Sequence, residues 1–375
     1  MAYIEYKQRG KKRLWSFSIR ERSKSLLHRS GFKTKREAKI EAEKVLHKLN
    51  TGSVLRSNMT LSELYQEWLD LKILPSSRSE VTKKKYIMRK KVIERLFGDK
   101  PVSQIKPSEY QKIMNEYGKS ASRNFLGRLN SCIRASIQMA IADKVVIEDF
   151  TAYVDLFSTK SGQKVEEKYL HTESDYQKVL VYLKNKFDYQ KSIVPYLIYF
   201  LFKTGMRFSE LVALTWDDVD EIREQVKTYR RYNTAIHKFT PPKNNTSIRL
   251  VPITSDMLSL LKTLKILQLK TNKELNIDNK NNLIFQHFGY AYDVPDIGTV
   301  NKAIKVMLME LEIFPIISTK GARHTYGSYL WHNNIDLGVI AKILGHKDIS
   351  MLVEVYGHTL EEKISEEFMA VKSLL

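Results

Sequence analysis

In Thr204-Gly205-Met206-Arg207-Phe208-Ser209-Glu210-Leu211, a glycine permits a tight turn and an arginine stands just before a helix that begins near Phe208. A helix N-terminus favours anions, so Arg207 occupies a place suited to a phosphate. Glu210, three residues on, is spaced to orient the guanidinium. Alone, an arginine at a helix start is usually a surface residue. Four downstream contexts change that. Lys243 precedes the run Ser247-Ile248-Arg249-Leu250-Val251-Pro252, and Arg323-His324-Thr325 follows. Leu344-Gly345-His346 comes next, and Tyr356 stands ten residues after His346 in Val355-Tyr356-Gly357-His358.

A phosphodiester resists attack because its oxygens are negative and its leaving alkoxide is a poor one. One solution is a divalent metal. The best carboxylate group for it, Asp217-Asp218 with Asp220, reads instead as an acidic turn between a helix and a strand. The other solution aims cationic side chains at the pentacoordinate phosphorane. Arg207 and Arg323 supply two planar forks, whose strongest mode is bidentate pairing with phosphate. Lys243 is placed to protonate a leaving 5′-oxygen, with Lys238 as its nearest competitor. His346 would hydrogen-bond a non-bridging oxygen or assist proton transfer. Tyr356 is the candidate nucleophile among 20 tyrosines, singled out by its spacing from Leu-Gly-His across a short helical segment. A phenol of pKa about 10 needs cationic neighbours or a base to become a phenolate.

In that order and spacing these residues resemble the tyrosine recombinases, integrases of the kind carried by temperate phages and integrative elements. The resemblance is strong over about 200–360 and rests on layout and composition over the first 160 residues. It implies strand exchange without metal or cofactor, each Tyr356 forming a 3′-phosphotyrosine and freeing a 5′-hydroxyl. The phosphotyrosine conserves the bond energy, so no ATP is called for. The implied partner is double-stranded DNA, at core and arm attachment sites, bound by a homotetramer with a host DNA-bending factor and an excisionase. Lys243 corresponds to the family's lysine on a mobile hairpin. The family's second box usually reads His-x-x-Arg, whereas here it is Lys320-Gly321-Ala322-Arg323. Lys320 still donates to phosphate but near pH 7 is a poor base, which moves the question of what accepts the tyrosine proton. His324 is structural by the same resemblance. The tail from Leu360 to Leu375 carries Ile364, Phe368, Met369, Val371 and Leu374, and the family suggests that it docks on a neighbouring protomer.

Composition fits a polyanionic partner. The 375 residues carry 62 Lys/Arg against 42 Asp/Glu, a formal net charge of +20. Residues 1–50 hold 15 Lys/Arg and 5 Asp/Glu, which places half of the net charge in about an eighth of the chain. Trp15, Phe17, Ile19, Leu26 and Phe32 are too many core formers for a solvated tail. The single cysteine, Cys132, excludes an intramolecular disulfide and a Cys-rich zinc site, and reads as a small buried residue on a helix. The N-terminus lacks a secretory pattern, and the longest apolar run, 194–202, is too short for a bilayer of ~30 Å. A cytoplasmic location, at the nucleoid of a bacterial host, fits these features, and no membrane partner is expected.

The expected fold class is multidomain α+β in three segments. Residues 1–54 predict a small three-stranded sheet backed by one helix. Strands lie at Ile4–Tyr6, Leu14–Ile19 and Leu26–Phe32, and Thr34 with Glu37 caps a helix with Ala38, Ile40, Ala42, Val45 and Leu46 as its apolar stripe. This layout resembles the family's arm-binding domain, with Lys11, Lys12, Arg13 and Arg20 as DNA contacts. Thr51-Gly52-Ser53 opens a linker to an all-helical core-binding domain at 58–156, with helices over 61–71, 79–96, 107–117 and 121–143. Its interleaved Lys83, Lys84, Arg89 and Lys90 are assigned to phosphate contact. Residues 158–164 read as a flexible basic linker. The catalytic domain, 165–375, is mainly helical with a small antiparallel sheet, with strands near 225–230, 234–239 and 247–252.

Two rival functions use related folds. A non-catalytic DNA-binding regulator would be marked by a degraded tyrosine or arginine, and neither is seen. A type IB topoisomerase shares the chemistry as a monomer, but the basic arm segment and the short interval from His346 to Tyr356 argue against it.

Overall fold

Alternation in the first strands sets the N-terminal sheet. The computed structural model describes residues 3–9, 14–21, 24–50, 59–145, 147–160, 162, 164, 166–288, 292–346, 348–350, 352–353 and 372. Tyr3–Arg9 (β1), Leu14–Glu21 (β2) and Lys24–Phe32 (β3) form an antiparallel sheet in the order β1-β2-β3. Phe17 and Ile19, two apart on β2, share one face and are fully buried. Lys35–Asn50 (α1) packs Ala38, Ala42 and Val45 into the same cluster. The Thr34 hydroxyl accepts from the Glu37 N–H at 3.1 Å, and the Glu37 carboxylate accepts from the Thr34 N–H at 3.4 Å. Such a cap stabilises a helix by about 1 kcal/mol. Ile40 departs from the expected stripe and is 47% exposed. Two residues from Ala38 and from Ala42, it falls on the opposite side of a helix with 3.6 residues per turn.

The chain divides into two compact units, Met1–Gly162 and Gln163–Leu375. The first holds a second apolar cluster built from helices. Leu61–Trp68 (α2) continues through a π turn at Leu69–Ile73, and is followed by Glu80–Phe97 (α3), Pro107–Gly118 (α4) and Arg123–Ala142 (α5). Leu126, Leu129, Ile133 and Ile137 of α5 are fully buried at spacings of three and four, with Cys132 beside them. Ser158 and Thr159 were expected in a flexible linker, but they are tied to this cluster. The Ser158 hydroxyl donates to the Ala121 carbonyl at 2.7 Å, and the Thr159 N–H to the Gly118 carbonyl at 3.2 Å. Only glycine fits at 118, because a Cβ there would lie 2.1 Å from the Phe157 carbonyl.

The second unit is organised around Val194–Thr204 (α7), which is apolar almost all round and buried along nearly its whole length. Glu173–Asn185 (α6) packs on it, capped by Thr172, whose hydroxyl accepts from the Asp175 N–H at 3.0 Å. Phe208–Leu211 (α8) follows. A small antiparallel sheet comprises Val219–Asp220 (β4), Gln225–Thr228 (β5) and Arg249–Pro252 (β8) in the order β4-β5-β8. Between them Arg231–Asn233 (β6) and Lys238–Thr240 (β7) form a hairpin. The strand expected over 234–239 is half turn, because the Asn233 side chain accepts from the Ala235 N–H at 3.0 Å and His237 has φ 50°. Ser255–Glu274 (α9), Ile297–Glu310 (α10), Thr319–His332 (α11) and Leu337–Leu344 (α12) complete the unit. Among the described residues no helix is long and apolar enough to cross a membrane.

The acidic stretch spans the 3-10 turn Trp216–Asp218 and β4, which follows it directly. Its carboxylates diverge. Asp218 accepts from Thr215 and pairs with Arg230 at 2.9 Å, Asp217 accepts from Asn282, and Asp220 accepts from Arg223 and Gln225.

Candidate active site

Gly205 ends α7 in the left-handed conformation, φ 59°, and its N–H bonds the Leu201 carbonyl. A Cβ at 205 would lie 2.5 Å from both the Leu344 and Tyr326 side chains, so glycine lets α7 close against α11 and α12. The chain then turns into α8 with Arg207 at its N-cap. Glu210 is 1% exposed, and its carboxylate accepts from the Arg207 guanidinium at 2.7 Å and from the Arg207 N–H at 3.2 Å. The other end of the Arg207 fork donates to the Gly345 carbonyl at 3.1 Å. Burial by itself would raise the Glu210 pKa, but Arg249 and Arg207 outweigh it and hold the carboxyl below its usual value.

Arg323, in the second turn of α11, is buried. Its guanidinium donates to the Gly205 carbonyl at 2.9 Å and to the Leu344 carbonyl. Both carbonyls terminate helices, where the negative end of the dipole suits a cation. At Leu344 the chain leaves α12 through Gly345, φ 66°, where a Cβ would lie 2.7 Å from the Thr246 carbonyl and 2.9 Å from the Arg249 guanidinium. That glycine brings His346 round beside the arginines. The His346 N–H bonds the Ala341 carbonyl at 2.9 Å, while its Nδ1 is buried without a partner among the described residues.

These groups line one cleft of about 470 Å³. Arg207, Lys243, Lys320, Arg323, His324 and His346 all reach it, with Ser209, Asn244, Ile297 and Thr319 completing the walls. Two arginines, two lysines and no carboxylate side chain lie among those lining residues. Lys243 is exposed, in the loop between β7 and β8, and Lys320 is exposed in the first turn of α11. Lys238, on β7, is not among the lining residues. His324 and His346 are both pushed down to about 4, first by burial, then by neighbouring cations. Lys320 and Arg323 act on His324, and Arg323 and Arg207 on His346. Both imidazoles are therefore neutral at pH 7. A cleft lined in this way is a site for an anion with several oxygens.

Tyr356 and the Leu360–Leu375 tail lie outside the described residues, apart from Lys372, as do Lys11, Lys12 and Arg13. The remaining basic residues assigned to DNA separate by environment. Lys84 is exposed on α3. Arg20 pairs with Glu5 at 3.3 Å, Lys83 with Glu80 at 3.1 Å and Lys90 with Glu94 at 2.7 Å. Arg89 departs from the expectation, because it is buried with its guanidinium 3.4 Å from the Cys132 sulfur and over the Tyr86 ring. The charge run hid a core position, since residue 89 shares its helix face with Ile93 and Phe97.

Arg249 and Ser247 are neighbours of Glu210 and Arg207 to which the motifs assign no role. The Arg249 guanidinium donates to the second Glu210 oxygen at 3.0 Å, and the Arg207 guanidinium approaches the Ser247 hydroxyl at 3.5 Å. The available signal was register: Arg249 is two residues from fully buried Val251 on β8, so both point inward.

Known proteins resemble this chain over much of its length. The Phage integrase family model matches residues 171–363, and the model of the phage integrase N-terminal SAM-like domain matches 60–117. A tyrosine recombinase XerC-like protein of Caldanaerobacter subterraneus is 25% identical over 355 residues, covering 88% of each chain. The ICEBs1 integrase of Bacillus subtilis is 31% identical over 169 residues, 44% of this chain and 45% of its own. The transposase of transposon Tn916 from Enterococcus faecalis is 26% identical over 341 residues, 88% of this chain and 82% of its own. Among solved structures, the Tn1549 transposon integrase in complex with transposon right end DNA superposes with TM-score 0.66 at 19% identity, over 84% of this chain and 100% of that one. A lambda integrase tetramer bound to a Holliday junction gives 0.56 at 15% identity, over 92% and 95%. With its matched segment spanning more than half of the sequence, this chain belongs to the phage integrase family of tyrosine recombinases.

Proposed function

We propose that this protein moves a mobile element by site-specific DNA strand exchange through a 3′-phosphotyrosine on Tyr356. The observation that supports this most is the cleft that gathers Arg207, Lys243, Lys320, Arg323 and His346 with no carboxylate side chain on its lining. In this mechanism the Tyr356 oxygen attacks the scissile phosphorus, the phosphorus–tyrosine bond forms, and the bond to the 5′-oxygen breaks. Arg207 and Arg323 take the non-bridging oxygens, each fork already aimed by helix-end carbonyls or by Glu210. Lys243 gives its proton to the departing 5′-oxygen. The phenol proton passes to His346, whose basicity rises once the anionic phosphorane offsets the arginines that hold it down. Lys320 donates to phosphate and does not serve as the base. Religation runs the same steps backward with a 5′-hydroxyl from another strand.

The substrate is duplex DNA at the element's attachment sites. The arm segment, residues 1–54, and the helical segment, residues 58–156, divide the contacts between arm and core sites, with the catalytic segment at 165–375. Four protomers act on two duplexes, and the tail after Tyr356 docks on a neighbour. A host bending factor and an excisionase set direction.

The test uses nicked duplexes from the ends of the element that carries this gene, so that cleavage is trapped. An SDS-resistant adduct in EDTA, present with wild type and absent with Tyr356→Phe, is expected. Tight binding with no adduct from wild type would replace this assignment with a DNA-binding regulator.

A further inference from the structure

We propose that Arg249 is a positioning residue for strand transfer: it fixes Glu210, and through it Arg207, while clamping the Leu344–His346 turn to the strand that follows Lys243. The inference rests on the function proposed above. Arg249 has a side chain 7% exposed, so it does not itself meet DNA. Two of its three nitrogens reach segments far away in sequence, and the third donates within its own segment. Nη2 reaches the Glu210 carboxylate at 3.0 Å, Nε the Ile343 carbonyl at 2.5 Å, and Nη1 the Ser247 carbonyl at 3.3 Å. Each segment also carries a cleft group: Arg207 precedes Glu210, His346 follows Ile343, and Asn244 with Lys243 precedes Ser247.

Glu210 explains why the link is tight. The Arg207 guanidinium holds one of its oxygens at 2.7 Å and Arg249 holds the other at 3.0 Å. A carboxylate this buried needs both cations, and removing one leaves a poorly compensated charge under the catalytic arginine. Lysine cannot replace Arg249, because an ammonium is a point charge and the three acceptors demand a planar fork. Glycine at 345 belongs to the same device, since the Arg249 guanidinium fills the space beside it.

The test measures single-turnover adduct formation by the full chain on the nicked element-end duplex, at DNA concentrations below and above saturation. Arg249→Gln is expected to slow the saturated rate by about 10²-fold, the cost of a small misplacement, with duplex affinity unchanged. Glu210→Gln/Arg249→Gln should be no slower than Arg249→Gln, because the two residues act as a unit. A merely structural Arg249 predicts lower melting temperature with affinity and rate falling together. If Arg249→Gln does not fold, Arg249→Lys carries the same test, with a slower saturated rate at unchanged affinity expected. Wild-type saturated rates in the folded variants, or losses that multiply in the double variant, would overturn the proposal. Absence of an adduct from wild type would instead remove the recombinase assignment, and this inference with it.

Discussion

The Arg323 guanidinium donates to the Gly205 carbonyl at 2.9 Å across a sequence separation of 118 residues. Gly205 is also the C-cap of α7 and lies two residues before Arg207. The two arginines are therefore set by one turn, and neither can move without disturbing the other.

Replacing Arg323 by lysine keeps the charge but loses the fork that holds the Gly205 and Leu344 carbonyls. Cleavage should fall on the order of 10²-fold or more, as when an oxyanion donor is removed. Arg207→Ala should do the same. Single-turnover adduct formation reads both, and near-wild-type rates in either variant would place the site elsewhere.

Gly205→Ala meets two penalties. The left-handed backbone costs an L-residue about 1–2 kcal/mol, and the new Cβ must displace Leu344 and Tyr326 from 2.5 Å. The melting temperature should drop by several degrees, at about 2–4 °C per kcal/mol in a unit of this size. Gly127 in α5 is the control, since nothing lies within 4 Å of a Cβ there and Gly127→Ala should be neutral or stabilising. Equal melting temperatures for the two variants would contradict the packing described at Gly205.

His324 and His346 are pushed from 6.5 down to about 4 by burial and then by adjacent cations. Between those values the unfolded chain binds more protons than the folded one. Stability is therefore complete above about pH 6.5 and falls as pH drops toward 4. Urea midpoints at pH 7.5 and pH 5 should show that loss, and His324→Asn should reduce it. An identical loss in wild type and His324→Asn would assign the protonation to other groups.

Much of the candidate cleft follows from short-range patterns. Gly205, Arg207, Lys320, Arg323, Gly345 and His346 each lie in a turn or first helical turns, where local spacing determines placement. Arg89 and Ile40 went the other way, because charge or apolarity was read without helical phase. Arg249 needed tertiary information. A charged residue on a short strand looks solvent-facing until Glu210 and the Ile343 carbonyl, from distant segments, are seen to meet it.

Half of the net charge lies in residues 1–50, and log affinity for DNA falls with log salt in proportion to the phosphates neutralised. Deleting residues 1–54 should weaken binding to long duplexes containing arm sites and flatten the salt slope. Cleavage of a short core-site duplex should survive. A slope unchanged by the deletion would mean that these cations do not contact phosphate.

Lys243 is exposed on the cleft wall, in the loop between β7 and β8. In the general-acid role proposed for it, Lys243 contributes only when the departing oxygen is basic, and general acids typically supply about 10²–10⁴-fold. Lys243→Ala should therefore lose that factor on ordinary DNA. A duplex with sulfur in place of the bridging 5′-oxygen leaves as a thiolate, whose conjugate acid has pKa about 8.5 and needs no proton donor. On that substrate Lys243→Ala should cleave at close to the wild-type rate, while Arg207→Ala, which loses the proposed contact to a non-bridging oxygen, should remain slow. Rescue of both variants, or of neither, would separate Lys243 from the leaving-group proton.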